Sequence, residues 1–271
     1  MEQPPERAAE YVQSLARGLM VIRAFDAEHP AMTLSDVARS TGLTRAAARR
    51  FLFTLAELGY VRSDGRLFTL TPRILELGYA YLSGMTLPEV AQPHLERLAA
   101  EVHESASAAV LDGDDVVYVA RVATSRIMRV SINIGTRFPA HPTSMGRVLL
   151  AGLPPEGLAA YLERAELPAY TARTVTSPAA FRAEIDRVRA RGWAMVDQEF
   201  EEGLRSMAAP VRDASGQVVA AINLSFHASR TSVDVARRDS LPLLLAAAAR
   251  VEADLLDTGT QVAPYRGTFT R

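Results

Sequence analysis

The sequence predicts an α+β chain: a small helical domain closed by a β-hairpin, a connecting helix, and a larger domain of antiparallel strands with helices grouped between them. Three observations predict it. Apolar residues recur at helical spacing from Ser14 to Leu58, and the run ends in "YVRSDGRLFTLT", two β-rich stretches around an Asp-Gly turn. Thr71-Pro72 then opens a further helix, as proline does when it stands in a first turn. Beyond about residue 104 the period becomes that of strands, with "SAAVLDGDDVVYVARV" reading as a second hairpin.

Composition sets the outer bounds. At 271 residues, of which 48% are hydrophobic, the chain can bury one large core or two ordinary ones. Its 31 acidic and 30 basic residues nearly cancel, so any basic footprint for a polyanion is confined to a patch. All 30 basic residues are arginine, which a base-composition bias in the coding DNA explains. The absence of cysteine excludes disulfides, thiolate nucleophiles and the usual zinc sites. The start, "MEQPPERAAEYVQS", is acidic and polar where a signal peptide is basic and then apolar, and no apolar run reaches membrane-spanning length. A cytoplasmic protein without membrane contact, cofactor or metal is the expectation.

The elements follow in order. Leu15, Leu19, Ile22 and Phe25 outline a first helix after a disordered segment 1–13. In "TLSDVARSTG", Thr33 as N-cap with Asp36 three positions on makes a capping box, and Gly42 provides the turn. The third helix is "TRAAARRFLFTLAEL", capped by Thr44, with Ala48, Phe51, Leu52, Leu55 and Leu58 on one stripe. Arg50 and Ala46 lie opposite that stripe, and Arg45 and Arg49 flank it. Three helices and a hairpin in this order make a winged helix-turn-helix over 14–71. A linker helix over 72–87 carries Ile74, Leu75, Tyr81 and Leu82 on an apolar side with no partner inside so small a domain, which predicts a homodimer or homotetramer.

The second domain spans 88–257. A helix over roughly 88–104 carries Leu95, Leu98 and Val102; "RIMRVSIN" reads as a third strand after the hairpin; "GTRFPAHPTSMGRVLLAG" is a loop running into a helix capped by Thr143. Helices over 155–164 and 178–191 are followed by strands in "WAMVDQ", "SMAAPVRD" and "VVAAINLSF". A last helix over 232–257 has Pro242 inside, where a kink is expected, and 258–271 is read as a flexible tail.

Chemistry-bearing constellations are few. The five histidines lack ligand spacing, Ser144 lacks a nucleophile elbow, "LLDTGT" ends a helix rather than a strand, and no phosphate-binding glycine loop occurs. The arginine-rich third helix beside a basic wing points instead to double-stranded DNA. The candidate contacts are Ser35, Thr44, Arg45, Ala46, Ala47, Arg49 and Arg50 on the helices, with Arg62 and Arg66 on the wing. Small alanines there let a helix axis enter a major groove. The rival reading is a small-molecule sensor or enzyme whose winged helix mediates protein contacts.

In layout and wording, "TLSDVARSTGLTRAAARRFLFTLAELGYV", "GTRFPAHPTSMGRVLLAG", "GWAMVDQEFEEGLRSMAAPV" and "AAINLSF" resemble the isocitrate-lyase-regulator (IclR-type) family of bacterial transcription factors from about Ser14 to Leu256. "TRAAARRFLFTL", "DGRLFTLTPRILELGYAYL" and "VDQEFEEGLRS" are similar to its subgroup regulating aromatic-acid breakdown through protocatechuate and β-ketoadipate. The resemblance implies operator binding, dimerisation through the linker helix, and a GAF-like sheet that binds an effector such as protocatechuate, 4-hydroxybenzoate or β-ketoadipate. It places that effector against Ser144 and Met145, with walls at Val130 and Phe138 and polar contacts from Asp197 or its neighbour, Ser206, Asn223 and Ser225. At "AHPTS" the chain departs from the subgroup, where an aromatic or cysteine often stands. On physical grounds the start of a helix suits a carboxylate, and Asn223 and Ser225, two apart on a strand, share a face. By spacing alone those two are equally well a bonded pair under the sheet.

Overall fold

The structure, a computed structural model, describes residues 11–77, 86–124 and 132–257. The chain forms two compact units that divide between Gly84 and Met85.

The first unit contains α1 (Gln13–Arg23), β1 (Ala31–Thr33), α2 (Leu34–Thr41), α3 (Arg45–Glu57), β2 (Val61–Ser63) and β3 (Leu67–Leu70). Both halves of the capping box form at α2: the Thr33 side chain accepts from the Asp36 amide and Asp36 reaches back to the Thr33 amide. Gly42 ends the helix at φ 64°, a conformation that costs glycine nothing. Thr44 caps α3 by accepting from the Ala47 amide at 3.2 Å. At the wing, Asp64 accepts from the amides of Arg66 and Leu67, and Gly65 takes φ 96°. A core of Val21, Phe25, Val37, Ala48, Leu52, Leu55, Val61 and Phe68 joins these elements.

Three details differ from the sequence expectation. The buried face of α1 is Val21 with the following Phe25, while Leu15 and Leu19 are exposed; the period was legible but the face was not. Leu58 is the exposed C-cap of α3 rather than a member of its buried stripe. The stretch before α2 contributes β1, which pairs antiparallel with β3 in the order β1-β3-β2, holding Met32 against Phe68. After β3, Thr71 caps a 3₁₀ turn, Pro72–Ile74, followed by a helical stretch at 75–77; residues 78–85 of the expected linker helix, Tyr81 and Leu82 among them, lie outside the described residues, and 86–87 begin the next helix.

In the second unit α4 (Thr86–Val102) leads into β4 (Ser105–Asp112), β5 (Asp115–Val122), β6 (Arg137–Pro139), α5 (Ser144–Gly152), α6 (Pro155–Arg164), α7 (Pro178–Arg191), β7 (Ala194–Asp197), β8 (Leu204–Arg212) and β9 (Val218–His227). The strands form an antiparallel sheet in the order β6-β5-β4-β9-β8-β7. Most of the expected strand over 126–133 lies outside the described residues; its described end, Ile132 and Asn133, is not in a strand, and the edge is β6, from a stretch read as loop. The last helix, α8, begins at Val233–Val235, passes through a π-helical turn, Ala236–Ser240, and continues over Leu241–Asp257. The wide turn stands directly before Pro242, where the proline's missing N–H and ring interrupt the α-helical ladder.

Both faces of the sheet are covered. One carries α4 and α8 over Met207, Ile222, Leu224 and Phe226; the other carries α5, α6 and α7 over Ala208, Ala221 and Tyr118. The strand period of two turns alternate residues toward opposite layers. Near the strand ends the second face is left polar, and there it forms a site.

Candidate functional site

Two surfaces bear on function. On the first unit, Arg45 and Arg49 line a groove with Ser35 at the start of α2 and with Gly65 and Arg66 of the wing. Arg50 and Ala46 are exposed on the outer side of α3, and Ala47 is half-buried. Arg62 donates from Nε to the Thr69 hydroxyl at 3.0 Å, which fixes its direction on the wing. The ion pairs among the described residues of this unit are Asp26–His29, Asp36–Arg39 and Arg73–Glu76. Arg45, Arg49, Arg50, Arg62 and Arg66 are not among those pairs, although Arg66 lies near enough to Asp64 to help the bonds from the Leu67 and Arg66 amides lower its pKa. The Arg49 guanidinium rests over the exposed Phe53 ring, 5.2 Å from its centre.

On the second unit, the start of α5 and the ends of β5, β6, β7, β8 and β9 enclose a narrow cleft of about 20 Å³. Phe138, Ser144, Met145, Ser206, Asn223 and Ser225 all line it, so six of the sequence-predicted residues share one cavity. Val130 lies outside the described residues. Asp197 stands apart: Val196, its neighbour, faces the cleft, and the alternation of β7 turns Asp197 the other way, onto Arg205 at 2.7 Å and Arg173 at 2.9 Å. Val196 is the neighbour of Asp197 that the resemblance allowed for, and Pro142 and Thr143 belong to the helix start already singled out; sequence reasoning missed Tyr118, Phe200 and Leu204. They come from two strands and one loop, and no local pattern announces such convergence.

Position comes from the backbone. Thr143 accepts from the Gly146 amide at 3.2 Å and caps α5. The amides of Ser144 and Met145, in its first turn, have no carbonyl of their own helix to bond. Ser206 is paired with Ser225 and Ala208 with Asn223 across β8 and β9, which brings the three polar residues together. The Asn223 amide donates to the Ser225 hydroxyl at 3.2 Å. Of the buried side-chain atoms that find no hydrogen-bond partner among the described residues, two line this cleft: Ser144 Oγ and Asn223 Oδ1. Such orphans are costly in a closed core. Here they face a cavity.

Aromatic rings close the cleft. Tyr118 meets Phe138 edge to face at 5.6 Å, Phe138 meets Phe200 at 4.9 Å, and Phe200 meets Tyr170 at 5.2 Å. Burial pushes the Tyr118 hydroxyl up to about 12, so it stays neutral. The loop bearing Phe200 is tied down behind: the Thr171 and Thr174 hydroxyls donate to the carbonyls of Gln198 and Glu199 at 2.7 and 2.6 Å. Gln198 holds φ 62°, and its side chain accepts from the Gly203 amide. Below, the buried Arg147 of α5 pairs with Glu199, which also accepts from the Val175 amide, and its Nε donates to the His141 carbonyl at 3.0 Å. One ion pair thus couples the helix that starts at the cleft to the loop that closes it.

Comparison with known proteins covers both units. Residues 14–65 match the IclR helix-turn-helix domain, and residues 79–253 match the family described as bacterial transcriptional regulator IclR C-terminal. The chain belongs to the IclR family of bacterial transcriptional regulators. A Pca regulon regulatory protein from Pseudomonas putida is 48% identical over 239 residues, 88% of this chain and 82% of that one. Among solved structures, a protein from Rhodococcus sp. RHA1 assigned to transcriptional regulation superposes with TM-score 0.83 at 59% identity, covering 92% of this chain and 100% of that one. An IclR homologue from Microbacterium hydrocarbonoxydans complexed with 4-hydroxybenzoate gives TM-score 0.80 at 28% identity, covering 90% and 99%. Membership in the IclR family agrees with the α+β fold and the two-part organisation. Among the described residues, no helix is long and apolar enough to cross a membrane.

Proposed function

We propose that this chain is a DNA-binding transcription factor of aromatic-acid breakdown, controlled by a small acid held in the cleft at the start of α5. The observation that carries the reading is the cleft itself, with two buried, unpartnered polar atoms, a helix N-terminus and aromatic walls. A carboxylate fits the Ser144 and Met145 amides and the Ser144 hydroxyl, where the helix dipole favours negative charge. The ring or chain lies against Phe138 and Met145, and Ser206, Asn223 and Ser225 bond its oxygens. Protocatechuate, 4-hydroxybenzoate and β-ketoadipate are the effectors to try first. The Pca regulon relative and the 4-hydroxybenzoate complex support that choice. Operator DNA meets α3 and the wing through Arg45, Arg49, Arg50, Arg62 and Arg66, and the working form is a homodimer or homotetramer.

The test is a thermal melt with each acid, because a ligand bound only by the folded state adds about 2.7 kcal/mol of stability at a hundredfold excess over Kd. One of the three is expected to raise the melting temperature by several degrees. If calorimetry finds none of them bound, the aromatic-acid assignment fails and the DNA-binding one stands. The competing reading, a winged helix used for protein contacts, predicts no operator affinity. The proposed one predicts affinity that falls steeply with salt as phosphates are neutralised.

A further inference from the structure

The cleft is shut. Its free space of about 20 Å³ holds one water, for which about 10–15 Å³ suffices, whereas an acid reaching from Ser144 to Asn223 needs many times as much. A wall has to move before such a ligand enters. Of the described walls, β5, β8 and β9 are interior strands of a sheet covered on both faces, and α5 is buried from Ser144 to Ala151. The loop 198–203 between β7 and β8 is different. It carries Phe200 into the cleft and belongs to no helix or strand. Both its ends are left-handed, Gln198 at φ 62° and Gly203 at φ 82°. That suits the glycine, but for glutamine it is a strained conformation, of the kind that surrounding bonds enforce at ligand clamps and switches.

The enforcing bonds come from three directions. The Gln198 side chain accepts from the Gly203 amide and draws the two ends of the loop together. From the irregular stretch 165–177, the Thr171 and Thr174 hydroxyls hold the carbonyls of Gln198 and Glu199. The Glu199 carboxylate takes both the Val175 amide and the buried guanidinium of Arg147. Loop, strap and α5 therefore meet at Glu199. We infer that loop 198–203 is a lid on the acid site, hinged at Gln198 and Gly203 and latched through Glu199, whose opening sets the rate at which the acid enters and leaves. This rests on the cleft being the acid-binding site proposed above. Arg147 and Glu199 are then positioning residues: neither is among the residues lining the cleft, and both act through Phe200.

A latch has a kinetic signature. Loosening it raises the open fraction and with it the association rate, and the bound acid escapes faster by the same factor, so affinity stays. A variant that only deforms the site speeds dissociation and loses affinity, with no gain in association. Surface plasmon resonance on the full chain with protocatechuate, 4-hydroxybenzoate and β-ketoadipate, beside calorimetry for Kd, tests this. Thr171→Val removes the hydroxyl that holds the Gln198 carbonyl and leaves no charge unpaired. For the acid that binds, association and dissociation are both expected to quicken about fivefold, the effect of one hydrogen bond, with Kd within about twofold of wild type. Glu199→Gln, which weakens the ion pair, is expected to go further in the same direction; should it not fold, Thr171→Val decides by itself. An association rate that does not rise in Thr171→Val, whatever happens to Kd, overturns the lid and leaves the acid site in place. Binding of none of the three acids by the wild type overturns the acid site, and this inference with it.

Discussion

A Cβ added at Gly146 would lie 2.0 Å from the Ala140 carbonyl oxygen and 2.4 Å from its Cα, both backbone atoms with no freedom to swing aside. Glycine is what lets α5 begin close enough to β6 for its first amides to open into the cleft. Gly146→Ala is therefore expected to displace the helix start, costing about 1–3 kcal/mol as overpacking does. It should weaken acid binding as well, read by calorimetry beside a melt; unchanged acid affinity would separate the helix start from the site. His141, fully buried next to this turn, is a second test. Its Nε2 lies 3.2 Å from the Pro168 carbonyl and donates to it. Burial holds its pKa below the ordinary 6.5, helped by the Arg147 charge and opposed by the Pro168 bond and Glu199. The unfolded chain thus takes up a proton at a pH where the folded one does not. Stability is expected to be level above about 6.5 and to fall as pH drops below it. His141→Phe should flatten that decline in acid melts. Neither residue's part was legible beforehand: Gly146 matters because of a strand edge that the sequence did not announce, and His141 because of loops folded over it.

Among the elements, α2 and α3 were the most legible, since their caps are local: Thr33 with Asp36, Thr44, and Gly42 each act within four residues. The hairpins about Asp64 and Asp112 were readable for the same reason. Strands β1 and β6 were not. Each has three residues, "AMT" and "RFP", and each exists because a neighbouring strand offers an unpaired edge. In the same way six cleft residues were readable through family resemblance and strand parity, whereas Phe200 and Tyr118 entered only through tertiary packing. The functional expectation at this scale concerns α3. With Arg49 in the groove beside the wing and Arg50 on the outer side, the Arg49→Ala/Arg50→Ala variant should lose about 1–3 kcal/mol of operator affinity for each base contact. For each phosphate contact the slope of log affinity against log salt should flatten by about one unit. Gel-shift titrations across salt concentrations, on a variant shown to melt as the wild type does, check this. Full retention of affinity would remove α3 from the interface.

For the whole molecule, the question of assembly is posed by Leu75 and Leu77, 71% and 48% exposed where the linker begins. An apolar side this open is expected to bury against a second copy. Sedimentation at micromolar protein should show a dimer or tetramer, and Leu75→Glu/Tyr81→Glu should shift it toward monomer; a wild-type monomer would end the proposal. The sheet of the second unit has a consequence of its own. Ser206, Asn223 and Ser225 look into the cleft, while Met207, Leu224 and Phe226, one step along the same strands, look into the layer of α4 and α8. Helix α4 is where the chain emerges from the linker. The sheet of this unit is thus a partition with the proposed acid site on one face and α4 and α8 packed on the other. The path through it is one peptide bond long: a message crosses the wall without travelling around it. Hydrogen exchange is the way to listen, because effector binding should slow the amides of β8 and β9 and, through them, those of α4, in a domain whose far helices α6 and α7 keep their rates.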